Sequence, residues 1–160
     1  MRRSRWWCAG ALVCALLLPA ARAEDAVIAV VVHPAVDTGR LDAEMLAQIY
    51  KRRRLYWRDG ARIQPVNLPP DHPLRRRFSV AILGQLPEAL DEYWNAQYFH
   101  GVLPPHVLAS EDAVARFVRA TPQAIGYLGH CWLGEGLRVV LTLDAQGRIR
   151  PPQAPLPACP

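Results

Sequence analysis

A single compact α/β domain is the fold this sequence predicts, with a mixed, mostly parallel sheet flanked by helices. Three observations point there. Apolar, strand-like runs alternate along the chain with segments of helical period. The first such run, residues 27–32 (Val-Ile-Ala-Val-Val-Val), is apolar on both pleat faces, as in a sheet covered on either side. Once an N-terminal export segment is set aside, 137 of the 160 residues remain, enough for one core and no more.

The elements follow in order. His33-Pro34 ends the first strand. Leu41, Met45, Leu46, Ile49 and Tyr50 then recur at helical spacing, with Asp42 placed to cap the helix. Asp59-Gly60 is a turn signal, and residues 63–66 make a short strand closed by Pro65 and Pro69-Pro70. Pro73 suits the first turn of a second helix, with Leu74, Phe78, Ala81 and Ile82 on one face. Gly84 and Pro87 separate it from a third helix, whose stripe of Leu90, Tyr93, Trp94 and Tyr98 is expected in the core. Ser110, followed by Glu111 and Asp112, starts a fourth helix that runs to Thr121-Pro122. Residues 125–128 and 137–143 read as strands. The last ten residues hold five prolines and form no regular element. The expected organisation is an export signal over 1–23, the α/β domain over 24–150 and a proline-rich tail over 151–160.

The export segment also settles what the charge means. Arg2, Arg3 and Arg5 form a basic leader, residues 6–18 are apolar, and Ala21-Arg22-Ala23 fits a cleavage site. The apolar run is too short to span a membrane. The chain carries +5 as a whole, but the mature part has 15 basic and 14 acidic side chains. Nucleic-acid binding therefore loses its main support, and the product is expected in the periplasm. Cys8 and Cys14 leave with the signal. Cys14 follows Leu12-Val13 rather than the small residue a lipid-attachment signal wants. Cys131 and Cys159 remain. They pair as one disulfide, or else Cys131 is a small core residue and Cys159 belongs to an irregular tail. Two cysteines without a nearby histidine pair fall short of a zinc site, so no metal is expected.

The mature charge is unevenly spread. Lys51, Arg52, Arg53, Arg54, Arg58, Arg62, Arg75, Arg76 and Arg77 face only Asp59 and Asp71, so residues 51–77 carry +7 and the rest −6. One account is a solvated helix end that favours cations. The other is an anion site, or a surface for an acidic protein or envelope polymer. Among the five histidines there is no H-E-x-x-H. G-x-S-x-G and Walker patterns are also absent, and His130-Cys131 are mere neighbours in sequence. No enzyme and no cofactor are expected.

Several runs resemble phosphate ABC transporter substrate-binding proteins, and above all the short, single-lobe members of that family. They are Ile49-Tyr50-Lys51, Trp57-Arg58-Asp59-Gly60, Pro65-Val66-Asn67-Leu68-Pro69, Pro73-Leu74-Arg75 with Phe78, Leu83-Gly84, Tyr93-Trp94 and Ser110-Glu111. The most specific is Thr121-Pro122-Gln123-Ala124-Ile125-Gly126-Tyr127. The resemblance implies one lobe of the type 2 periplasmic-binding-protein fold, phosphate or another small oxyanion as ligand, and an ABC permease as partner.

The departures fall on the ligand positions. Full-length members carry an Arg before the second helix and a Ser-Gly-Thr opening it. Here Asn67 stands at the Arg position and His72-Pro73-Leu74 replaces the hydroxyl-bearing triplet. If Asp71 caps the helix, it puts a negative charge where a phosphate would sit. Each lost charge-assisted hydrogen bond costs about 1.5–3 kcal/mol. The expectation is weak or degenerate oxyanion binding near Asn67, His72 and Arg75. Gln123 stands where the family has glycine, a strained choice if that backbone needs a positive φ.

Overall fold

The structure, a computed structural model, describes residues 27–159. The expected export segment lies outside the described residues. Six strands form one mixed sheet: β1 (Ile28–Val32), β2 (Gln64–Asn67), β3 (His106–Val107), β4 (Ala124–Gly129), β5 (Arg138–Leu143) and β6 (Ile149–Arg150), in the order β3-β2-β4-β1-β5-β6. Helices α1 (Ala43–Tyr50), α2 (Pro73–Phe78), α3 (Asp91–Phe99) and α4 (Glu111–Ala120) connect them.

The sheet is mixed as expected, but its balance differs. Only β2–β3 and β2–β4 are parallel, whereas β1 pairs antiparallel with both β4 and β5, and β5 with β6. Every residue of β1 is buried. An all-apolar run reports burial on two faces, and burial does not set strand direction.

Neighbouring residues of β4 serve opposite faces. Gly126 faces α4, where a Cβ would lie 2.6 Å from Val114 Cγ1 and 3.0 Å from Val66 Cγ2. Tyr127 faces α1 and α2, stacking on Phe78 at 3.9 Å with Tyr50 at 5.9 Å. The Thr-Pro-x-Ala-Ile-Gly-Tyr run thus brings helices against both faces of one strand. Gln123 needs no positive φ, since Arg52 is the one non-glycine with that geometry among the described residues. The Gln123 carbonyl accepts from Trp57 Nε1 (3.1 Å) and from Gln64 N–H (3.0 Å).

Asp42 caps α1 by accepting from Met45 N–H at 2.9 Å. The helix ends in a Schellman turn: Arg53 N–H donates to Gln48 O (2.8 Å) and Arg52 N–H to Ile49 O (3.0 Å). Glycine is usual at the left-handed position of such a turn, and here Arg52 holds it at φ 56°. That choice costs about 1 kcal/mol.

Past α2 the chain makes a π-helical turn (Ser79–Leu83) and stops at Gly84, φ 74°. A 3-10 turn (Pro87–Leu90) leads into α3. Here the aromatic stripe departs from expectation. Leu90 is buried and Trp94 packs partly buried against the core, but Tyr98 is 65 % exposed and α3 has no fully buried residue. Helical spacing of aromatics marks one face without saying that a partner covers it. Strands β3 and β6, two residues each, carry no period to read. Cys131 and Cys159 are bonded, with Cα atoms 5.5 Å apart, and pin the irregular tail to the turn after β4. Among the described residues no helix is long and apolar enough to cross a membrane.

Candidate functional site

The C-terminal ends of the interior strands β2 and β4 and the starts of α2 and α4 meet at one end of the sheet. At the end of β2, Asn67 is 3 % exposed, and its Oδ1 accepts from the Tyr127 hydroxyl at 3.2 Å. That hydroxyl also accepts from Leu68 N–H at 3.3 Å. Tyr50 donates to Val66 O at 3.1 Å. Arg75 is 8 % exposed, and its Nη1 is buried without a hydrogen-bond partner among the described residues. Burial pushes both phenols above the ordinary tyrosine range, while the Arg75 charge pulls them back in part. The two hydroxyls therefore act as neutral hydrogen-bonding groups. Asn67 and Arg75, two of the three expected ligand residues, sit within or beside this internal network.

The third caps the helix. His72 Nδ1 accepts from Leu74 N–H at 3.2 Å, so His72 and not Asp71 is the N-cap of α2. With Nδ1 accepting, the ring proton lies on Nε2, which is 3.8 Å from Glu111 Oε1. The other oxygen of Glu111 accepts from Gly129 N–H. A Cβ at Gly129 would lie 2.9 Å from that oxygen, so the glycine lets the carboxylate come close. A carboxylate of the chain itself thus occupies the mouth of α2. In the sequence Glu111 stands out as a helix-start residue and as part of the family-like Ser110-Glu111 pair, and nothing local ties it to Gly129, 18 residues on.

The basic residues do not form one field. Arg76 is paired with Glu88 through two bonds of 3.0 and 3.1 Å, and Arg77 donates to Asp144 O at 3.0 Å. Both line a depression beside Ala145 and Gln146. At the end of α1, Lys51 O accepts from the Tyr93 hydroxyl at 2.7 Å, and Arg53 lies over the Tyr93 ring at 5.7 Å. Arg52 and Arg62 line a different groove, described below. Lys51, Arg52, Arg53 and Arg54 form no ion pair among the described residues.

Against solved structures the chain is similar to an ABC-type phosphate transport receptor from Vibrio cholerae (19 % identity, TM-score 0.57, covering 71 % of this chain and 46 % of that one). It is also similar to a putative phosphate ABC transporter substrate-binding protein from Clostridium perfringens with bound phosphate (18 %, TM-score 0.59, 72 % and 45 %). The fold is that of one phosphate-receptor lobe. The lobe spans less than half the length of these neighbours. No protein-family model matches it, and no curated protein does.

One further cluster lies where the tail meets the lobe. Donor atoms of His130, Cys131 and Cys159 fall within 4.8 Å of one another. The sulfurs are joined, so neither offers a thiolate to a metal while the bond stands. His130 Nε2 is 3.1 Å from Pro157 O, which adds a polar tie between lobe and tail.

Proposed function

We propose that this chain is an exported solute-binding protein, a lone receptor lobe that takes phosphate or a similar oxyanion weakly at Asn67, His72 and Arg75. Support comes from the architecture it shares with phosphate receptors, in which α2 opens at the end of β2. Support for export comes from the signal-like pattern of residues 1–23. An ABC permease is the partner this reading entails.

The observation that carries the weakness is the position of Glu111. Its carboxylate already accepts from Gly129 N–H and faces His72. An incoming oxyanion must displace it or sit beside a like charge, and either lowers affinity. Calorimetric titration of the mature chain with phosphate and sulfate tests the reading. Dissociation constants of about 1 mM are expected, corresponding to about −4 kcal/mol. No heat at several times that concentration, in the native chain and in Glu111→Gln alike, would leave a scaffold without this function.

A second reading is a periplasmic interaction module for an acidic protein or envelope polymer. It is favoured by the absence of ion pairs at Lys51, Arg52, Arg53 and Arg54 among the described residues. Pull-down yield would then fall with salt and on reversing Arg52, Arg53 and Arg54 to Glu.

A further inference from the structure

The end of α1, the start of β2 and the approach to β3 enclose an open groove of about 520 Å³. Its walls include Arg52, Arg62 and His106 together with the apolar Pro104, Pro105 and Phe117, and no carboxylate lines it among the described residues. We propose that this groove is an anion site separate from the mouth of α2, and that it takes a small organic dianion, a phosphate monoester on a compact apolar body.

Three observations carry the inference. First, Arg52 and Arg62 line the same groove. Partial burial and the Arg62 charge both pull the proton affinity of Arg52 down. Like charges held together at a half-desolvated position are relieved by an anion between them. Second, Arg52 takes the left-handed position of the Schellman turn, where glycine is unstrained. A cation serving only the end of α1 would be as effective one residue away, without that strain. Third, Arg52 turns inward: Nη1 donates to Ile63 O at 3.4 Å, and Nε is buried without a hydrogen-bond partner among the described residues. Two arginines offer forked donors to a doubly charged head. The volume falls in the range of small-molecule sites, and the proline and phenylalanine walls suit an apolar body.

The proposal does not rest on the α2 mouth, and its test keeps the two apart. Phenyl phosphate and inorganic phosphate are titrated into the mature chain and into Arg52→Gly, Arg62→Ala and Glu111→Gln, at low and at moderate salt. Phenyl phosphate is expected to bind one to one and more tightly than inorganic phosphate, with affinity falling as salt rises. Arg52→Gly and Arg62→Ala each weaken it by about tenfold or more, and Glu111→Gln, which acts on the α2 mouth, does not weaken it. Glycine fits the backbone at position 52, so Arg52→Gly is expected to fold, and a far-ultraviolet circular dichroism spectrum matching that of the native chain separates loss of binding from loss of fold. The proposal is overturned if phenyl phosphate fails to bind the native chain at about 10 mM. It is equally overturned if the two arginine variants bind it as the native chain does, or if inorganic phosphate binds as tightly.

Discussion

The mouth of α2 and the groove beside α1 are built from similar material and reach opposite electrostatic states. At the mouth, the backbone N–H of buried Gly129 and a histidine meet a carboxylate supplied by the chain itself, Glu111. In the groove, two arginines share a concave surface with no carboxylate among the described lining residues. A site that carries its own counter-charge is stable when empty and binds weakly. A site without one is strained when empty and gains from a ligand. The opening of α2 is thus the satisfied region here, and the unsatisfied one lies elsewhere on the lobe.

The largest expected effect falls on the mouth side. Gly129 directly precedes His130-Cys131, and the Cys131–Cys159 bond closes a loop of 28 residues. Loop-entropy arithmetic gives about 3 kcal/mol for such a link. Urea unfolding of the Cys131→Ser/Cys159→Ser variant should show a loss of that order, with affinity for phenyl phosphate in the groove retained. Loss of both together would mean that the two regions are not independent.

Next in size, Glu111→Ala leaves the Gly129 N–H without its acceptor and should cost about 1–3 kcal/mol. Added phosphate should raise the melting temperature of this variant more than that of the native chain, because it replaces the missing carboxylate. In the groove the same logic runs in reverse. Arg52→Gly removes a left-handed arginine and should stabilise the chain by about 1 kcal/mol, read from the unfolding midpoint. If it destabilises instead, Arg52 is a structural residue and the contrast between the two regions fails.

The smallest effect is a pH dependence at the alkaline end. Burial raises the folded-state pKa of Tyr50 and of Tyr127 above the unfolded value of about 10. Their contribution is therefore fully present below pH 10 and is lost as pH rises beyond it. Phenolate absorbance from these two side chains should appear only together with loss of far-ultraviolet circular dichroism. Ionisation in a chain that remains folded would show the Tyr127–Asn67 network to be open to solvent.

What could be read from the chain follows from what each signal measures. The run over 27–32 predicted a strand buried on both faces because β-branched apolar residues without polar alternation report that burial, and β1 has it. The same run carried no information about direction, and β1 proved antiparallel to both neighbours. Asp42 and Ser110 were legible as caps since capping is local, and each accepts from the residue three positions on. His72 was legible as a residue of the α2 opening but not as its cap, a role for which the sequence offered Asp71. The Glu111–Gly129 contact was out of reach, because it joins two elements that only the folded sheet brings together. Arg52 stood inside a conspicuous basic run, yet its backbone geometry, which sets it apart from Arg53 and Arg54, is not encoded in composition.

The mouth of α2 already holds an anion that belongs to the chain, the Glu111 carboxylate. Phosphate titration of Glu111→Gln against the native residue, both in an Arg52→Gly background so that the groove is silent, tests it most directly. Removing the charge should tighten phosphate binding by about tenfold, since a repulsive charge becomes a neutral neighbour. Equal or weaker binding after the substitution would contradict the claim.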